Sequence, residues 1–264
     1  MTDITGRFLA VAYGGGVNST AFLIEFVRLG IKPGLILFSD TGGERPSTYS
    51  FIKTFSEWLQ AHAFPEIITV RKGFKKGFQE ETLEQNCLRK FGLPSIAYGF
   101  KTCSEKYKTR AQDKFLNNYP ATKAIFRAGG KIIKVVGFDA GEPRRAVVYE
   151  HQKYDNWYPL VEWGWDREKC EQVVRDTGFN PAKSSCFFCP SMTKPEIIQL
   201  SKDYPELLER ALQMEDNAKE NLVTVKGLGR RFNWREFIEA LKSGDPKANK
   251  WEGDVEMPCG CYDG

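Results

Sequence analysis

The sequence is short of the features that would place the chain in a membrane or a secretory pathway. No apolar stretch in its 264 residues approaches the ~18 residues needed to span a bilayer. Its first residues, MTDITGRFLAVAYGG, lack a basic segment followed by a small-residue cleavage site, so no signal peptide is predicted. Internal repeats and low-complexity tracts are also missing. We therefore expect a soluble, cytoplasmic, globular protein.

Histidine is scarce and the overall charge is small. The two histidines, His62 and His151, have no metal-ligand spacing. A net charge of +4 favours anionic ligands but is too low for a dedicated nucleic-acid binder. The basic residues form local clusters instead, at positions 71–76, 101–110, 144–145 and 226–231. Any one of these clusters is equally well explained as a solvated face.

Cysteine, by contrast, is present in an odd number. Seven cysteines in a protein expected to be cytoplasmic argue against a disulfide framework and for metal or thiol chemistry at some of them. Cys170 lies on the apolar stripe of a predicted helix at 166–178, which makes it a core residue. Cys87 has no chemical context and is interpreted as structural.

Apolar runs alternate with helical patterns along the first half of the chain. This alternation predicts a doubly wound, mainly parallel, Rossmann-like α/β sheet in residues 1–180, followed by a helical, cysteine-bearing region in residues 181–264. The expected strands are at 7–13, 34–40, 66–72 and 131–139, and the expected helices at 18–30, 46–62, 104–119, 166–178, 193–203, 204–220 and 233–242.

Three consecutive glycines separate the first strand from the first helix, in the segment AYGGGVNSTAFL (12–23). Glycines let a phosphate approach the backbone closely, and a helix N-terminus supplies free N–H groups and a partial positive charge. The segment is neither a Walker loop nor G-x-G-x-x-G. The predicted phosphate-binding residues are Gly14, Gly15, Gly16, Asn18, Ser19 and Thr20.

This segment resembles the PP-loop, Ser-Gly-Gly-x-Asp-Ser, of the adenine nucleotide α-hydrolase superfamily. Gly15, Gly16 and Ser19 stand at matching positions, whereas Gly14 replaces the first Ser and Asn18 replaces Asp. The resemblance implies an adenine nucleotide as ligand. Asn18 removes one carboxylate from the PP-loop pattern, which argues against magnesium-dependent cleavage of ATP.

Further segments resemble phosphoadenosine phosphosulfate reductases in the expected order. FSDTGGERPSTY (38–49) is similar to their Asp-Thr-Gly motif, and VVGFDAGEPRRA (135–146) to a Gly-hydrophobic-Arg segment in which Asp139 replaces the expected Arg. WYPLVEWGWDREKC (157–170) is similar to their Pro-Leu-x-x-Trp segment. The nucleotide-binding residues implied are Asp40, Thr41, Gly42, Gly137, Glu142, Arg144 and Arg145. Asp40 and its neighbours also suit a helix cap.

The segment KSSCFFCPS (183–191) spaces Cys186 and Cys189 so that both thiolates can bind one metal centre. Cys103 lies among lysines, where a thiol pKa would be lowered. In adenylyl-sulfate reductases a Cys-Cys pair at this position joins a later Cys-x-x-Cys around a 4Fe–4S cluster. The resemblance therefore implies a cluster on these three residues, with Cys261 as the fourth ligand or with one open iron.

The C-terminal EMPCGCYDG (256–264) resembles the reductases' Glu-Cys-Gly tail, which implies Cys259 as a nucleophile that attacks sulfur. The zinc alternative is a closed site formed by Cys186, Cys189, Cys259 and Cys261. Both interpretations bring the tail to the Cys-x-x-Cys.

Taken together, these motifs predict an enzyme of sulfur chemistry that binds an adenine nucleotide, either ATP or phosphoadenosine phosphosulfate. It would reduce a sulfonucleotide or thiolate an adenylate-activated substrate, with a reductant or sulfur-donor protein as partner. The alternative is a nucleic-acid-associated or tRNA- or DNA-modifying protein with structural zinc. In that case Phe232, Trp234 and Phe237 would stack on bases, although such residues more often form core.

Overall fold

The structure is a computed structural model that describes residues 2–73, 81–147, 150–181 and 183–245. Its strands are β1 (Leu9–Tyr13), β2 (Leu35–Asp40), β3 (Ile67–Arg71), β4 (Ile132–Val136) and β5 (Tyr154–Trp157). Its helices are α1 (Val17–Leu29), α2 (Pro46–Ala61), α3 (Leu83–Arg89), α4 (Thr102–Ser104), α5 (Arg110–Asn118), α6 (Pro120–Arg127), α7 (Pro159–Glu162), α8 (Arg167–Asp176), α9 (Lys194–Asp203), α10 (Pro205–Ala218) and α11 (Trp234–Ser243). Among the described residues, no helix has the length and apolar character required to cross a membrane.

The five strands form one all-parallel sheet in the order β3-β2-β1-β4-β5. Val11 of the central strand pairs with Ile36 on one side and with Val135 on the other. Strand order reverses between β1 and β4, and sheets of this kind bind ligands outside the carboxyl ends of the strands at such a reversal. The predicted doubly wound α/β class is confirmed, and the glycine loop lies at the reversal point.

Apolar side chains explain why these segments became strands. β1, β2 and β4 are buried along their whole length, as expected for strands that helices cover on both faces. The edge strand β5 has the polar sequence YDNW, with its two middle residues only half-buried, and the sequence analysis missed it. The helix expected over 104–119 contains a π-helical turn at Glu105–Thr109, a local irregularity that is frequent at functional sites.

One apolar core cluster lies beneath the C-terminal helices and extends back into the first half of the chain. Leu83, Cys87 and Tyr107 pack in the same buried cluster as Leu200 and Trp234. Segment 83–107 thus packs with residues assigned to the C-terminal region. The proposed boundary between 1–180 and 181–264 remains a prediction from sequence, and this packing links the two sides of it.

Candidate functional site

The glycine loop connects β1 to α1, and its glycines are required for different reasons. Gly15 has φ +75°, in the left-handed region, and a Cβ there would lie 3.2 Å from Ile52 Cδ1. Gly16 has φ −100°, which any residue adopts, and its Cβ would meet nothing closer than the Ser184 Cβ at 3.9 Å. The fold therefore requires glycine at position 15, whereas the space beside Gly16 is open.

The N-terminus of α1 has neither a side-chain cap nor an acidic residue in its first turn, and Gly16 is its N-cap. In contrast, Asp166 caps α8 by accepting a 2.8 Å hydrogen bond from the Lys169 N–H. Uncapped N–H groups and the helix dipole both favour an anion at the start of α1.

Ser19 and Thr20, whose hydroxyl groups were predicted to bind phosphate, form hydrogen bonds within the protein. Thr20 Oγ donates to the Gly16 carbonyl at 2.8 Å and lies 3.2 Å from the Tyr13 hydroxyl. Ser19 Oγ accepts from the Gly14 N–H at 3.3 Å. Both side chains are fully buried, so their first role is to shape the loop.

Asn18 joins a polar group that spans the reversal point of the sheet. Its Nδ2 donates to Asp139 Oδ2 at 2.9 Å, and its Oδ1 accepts from Arg167 Nη1 at 3.3 Å. Asp139 Oδ1 also accepts from the Gly141 N–H at 2.9 Å. A buried carboxylate therefore lies beside the glycine loop, although Asn18 itself is uncharged. The sequence analysis did not identify Arg167.

Asp40, at the carboxyl end of β2, is saturated by protein donors. Its Oδ1 accepts from Tyr49 Oη and the Gly42 N–H, both at 2.7 Å, and its Oδ2 accepts from Arg71 Nε at 2.9 Å and Nη2 at 2.7 Å. Burial, followed by this carboxylate, raises the pKa of Tyr49 above its ordinary value. Asp40 thus fixes the β2–α2 loop, where Gly42 has φ +76°.

The nucleotide-binding residues predicted after β4 lie on the side of the glycine loop opposite to Asp40. Gly137 is buried directly after the strand, and Arg144 is exposed. Arg145 Nη1 forms a 2.6 Å ion pair with Glu142 Oε1, and its guanidinium lies 4.2 Å from the Phe138 ring centroid. Of these four residues, Arg144 is the one that extends into solvent.

Three cysteines from distant parts of the chain line one pocket. Cys103, Cys186 and Cys189 surround it together with Thr41, Leu83, Pro94, Ile96, Ser104, Lys108, Phe188 and Pro190. Cys186 Sγ lies 3.1 Å from Thr41 Oγ, so Thr41 belongs to the cysteine pocket. The Cys189 N–H donates to the Cys186 carbonyl at 3.0 Å, which closes the turn between these two cysteines.

The cysteine pocket is lined by a buried cation as well as by thiols. Lys108, in the π-helical turn, is buried, and its Nζ lies 4.0 Å from Glu44 Oε1. Burial raises the pKa of the Cys186 thiol, the Glu44 charge raises it further, and Lys108 opposes the rise. Ser104 Oγ has no hydrogen-bond partner among the described residues. A buried donor without a partner is costly, so a ligand that accepts a bond would stabilise this pocket.

The Cys-x-x-Cys segment is tied to both neighbouring loops. The Phe187 N–H donates to the Gly43 carbonyl at 2.7 Å, and Ser184 Oγ donates to the carbonyl of Gly14. A Cβ on Gly43 would lie 2.7 Å from the Phe188 ring, which shows how closely the segments approach. The cysteine pocket and the glycine loop are thus adjacent, and the hydrogen bond of Ser184 links them. No pattern in the sequence indicated this role for Ser184.

The remaining cysteines divide into two groups. Cys87 and Cys170 are buried, as expected, and burial raises the pKa of each thiol to about 12. Cys259 and Cys261 lie outside the described residues, so the nucleophile and the closed zinc site remain predictions. Within the described residues, no three His, Cys, Asp or Glu side chains surround a single metal ion.

The aromatic residues that follow the basic cluster at 226–231 are core residues. Phe232, Trp234 and Phe237 are at most 4% exposed, and the two phenylalanine rings pack against each other with centroids 5.5 Å apart. They are therefore not available to stack on bases. The packing alternative recognised in the sequence is the one that the structure adopts.

Known proteins that are similar to this chain include one curated sequence and one solved structure. No family model matches the chain. An uncharacterized protein of Methanocaldococcus jannaschii is 26% identical over 209 residues, which cover 76% of this chain and 40% of that protein. The chain thus spans about two fifths of the length of this curated relative. The U34-tRNA thiolase NcsA of Methanococcus maripaludis, solved with its 4Fe–4S cluster, is 11% identical, with a TM-score of 0.41 over 84% of this chain and 76% of that one.

Proposed function

We propose that this chain is a PP-loop-type enzyme that binds an adenine nucleotide at the start of α1 and transfers sulfur to an adenylated acceptor. The observation that carries the proposal is the position of the cysteine pocket. Cys103, Cys186 and Cys189 converge beside the glycine loop, and Ser184 bonds the Cys-x-x-Cys segment to Gly14. Nucleotide and sulfur chemistry would then share one edge of the sheet.

The glycine loop supports the nucleotide part of the proposal. Gly16 is bare although the fold does not need glycine there, and the N–H groups at the start of α1 have no side-chain cap. These N–H groups would hold a phosphate, with Gly14 and Gly15 shaping the approach. Arg144 and Arg145 would face the anionic end of the nucleotide, and Asp40 would act indirectly by fixing the β2–α2 loop.

The donor set fits a 4Fe–4S cluster with three protein ligands. Each cysteine of such a cluster binds a different iron, so its ligands need not surround one ion. Three thiols line a pocket that is also lined by the Lys108 cation and the hydroxyl of Ser104, both suited to an anionic, sulfide-bearing group. When bound, the cluster would supply iron to hold or deliver sulfide. Cys261 remains a proposed fourth ligand.

The residues beside the glycine loop depart from the reductase pattern, which favours sulfur transfer over reduction of a sulfonucleotide. Asp139 places a carboxylate next to Asn18, and Arg145 is already paired with Glu142. Asp139 also stands where the reductases have an Arg, so a cation of the sulfonucleotide site is replaced here by a carboxylate. In the transfer reaction an acceptor oxygen displaces pyrophosphate from ATP, and sulfide then displaces AMP, so that a carbon–sulfur bond forms as the carbon–oxygen bond to AMP breaks. Cys259 remains a predicted nucleophile.

The deciding experiment is a metal and sulfide assay on anaerobically purified protein. We expect a brown protein with roughly four irons and acid-labile sulfide per chain. Cys103→Ala should lose the colour, whereas the matched control Cys170→Ala, which removes a core thiol far from the pocket, should keep it. One zinc without iron, insensitive to Cys103→Ala, would refute the cluster. Absence of ATP binding in calorimetry would refute the nucleotide site.

A further inference from the structure

The segment between α10 and α11 is held in one conformation by a buried carboxylate. Glu215, which is fully buried, accepts hydrogen bonds from the N–H groups of Leu228 at 2.7 Å, Trp234 at 3.0 Å and Arg235 at 3.1 Å. A Cβ on Gly227 would overlap this carboxylate, so the loop backbone lies directly against it. Residues 225–231, here called the basic loop, therefore have a defined shape.

Arg230 has an unusual backbone conformation within the basic loop. Its φ is +61°, a left-handed value that costs free energy in a non-glycine residue and is typical of functional sites. The Lys226 N–H donates to the Arg230 carbonyl at 2.7 Å, which closes the loop into a tight turn. Arg230 Nη2 lies 3.5 Å from Ser191 Oγ, two residues after Cys189. The turn thus places a guanidinium beside the Cys-x-x-Cys segment.

The three cations of the basic loop are not neutralised within the described residues. Lys226 and Arg231 are exposed, Arg230 is half-buried, and none of the three forms an ion pair with a described carboxylate. The neighbouring Arg235, by contrast, pairs with Asp216 at 2.7 Å and Glu209 at 3.4 Å. A fixed loop with three unpaired cations next to a reactive site is typical of a surface that contacts a polyanion.

We propose that the basic loop binds the phosphodiester backbone of the nucleic acid that carries the sulfur acceptor. This inference rests on the proposed function and names its acceptor class. Lys226 and Arg231 are both exposed on the same short loop, so they suit successive phosphates of a strand better than one small anion. Its contacts are to charge, because the aromatic residues nearby are buried and cannot read bases.

The test is fluorescence anisotropy of the full chain with labelled RNA and DNA, each single-stranded and as a hairpin, between 50 and 200 mM salt. The variant Lys226→Gln/Arg231→Gln removes two exposed charges. The matched control Lys32→Gln/Arg127→Gln removes two charges near the amino ends of β2 and β4, the opposite edge of the sheet. We expect the loop variant to bind roughly tenfold more weakly, with a single-strand salt slope smaller by about 1.4.

Equal weakening in both variants, or binding of neither RNA nor DNA, would overturn the inference. Equally tight binding of a poly-aspartate peptide would also overturn it, because the loop would then recognise charge without phosphates. The ratio of RNA to DNA affinity distinguishes the two sources of phosphodiester. Iron content and ATP affinity, measured on the same preparations, test the proposed function separately, and both should be unchanged in the loop variant.

Discussion

Replacing Gly16 with serine should separate the stability of the fold from the binding of a phosphate. At an N-cap, a serine hydroxyl accepts a hydrogen bond from the N–H two or three residues later, here that of Asn18 or Ser19. Gly16 has an extended conformation, and its Cβ would lie 3.9 Å from the Ser184 Cβ. The new side chain therefore fits the fold and occupies the N–H groups proposed to hold the phosphate.

The two expected effects have opposite signs. Serine exceeds glycine as an N-cap by only a few tenths of a kcal/mol, so the melting temperature should stay the same or rise by about 1 °C. A hydrogen bond to a charged group contributes about 1.5–3 kcal/mol. Losing one such bond should weaken ATP binding roughly 10- to 100-fold. Gly16→Val, whose branched side chain fills more of this space, should abolish detectable binding.

Isothermal titration with ATP and AMP, together with thermal unfolding, measures both quantities. Gly92→Ser is the matched control, because a Cβ there would lie 3.8 Å from the Lys90 carbonyl oxygen and far from the glycine loop. It should leave nucleotide affinity unchanged. Wild-type ATP affinity in a folded Gly16→Ser variant would refute the idea that phosphate lies at the start of α1.

Two further predictions concern buried hydrogen bonds that link distant segments of the chain. Ser184→Ala removes the hydrogen bond to the Gly14 carbonyl, so it should destabilise the fold by about 1 kcal/mol in urea titrations. It should also lower the iron content of the protein. Unchanged iron content would show that this hydrogen bond does not position the cysteine pocket. Burial raises the pKa of Glu215 despite its three N–H donors, so its contribution to the free energy of unfolding is largest below about pH 4.5 and declines as pH rises through the folded-state pKa. Glu215→Gln should lose about 1–3 kcal/mol of unfolding free energy, because the Arg235 N–H loses its acceptor. The variant should also show a flatter decline of stability as pH rises above 4.5, and an equally steep decline would assign the effect to other groups.

Local patterns in the sequence determined most of the sheet and the position of the glycine loop. Near-continuous apolar runs predicted four strands of a parallel sheet, and the glycines before Val17 predicted the loop that leads into α1, because both signals arise from neighbouring residues. The spacing of Cys186 and Cys189 likewise predicted two thiols close enough to bind one metal centre, and the two residues line one pocket. The weak, polar β5 had no such local signal.

Only the tertiary structure decided which residues meet at the site. Thr41 and Cys186 are 145 positions apart, and Asn18 and Asp139 are 121 apart, yet each pair is in hydrogen-bond contact. Parallel strands bring their carboxyl ends to one edge of the sheet, whatever their separation in the chain, and no local pattern encodes which side chains then face one another. For that reason the saturation of Asp40 became visible only in the folded chain. The convergence of three cysteines on one pocket was implied by the resemblance to the reductases, and no local pattern indicated it.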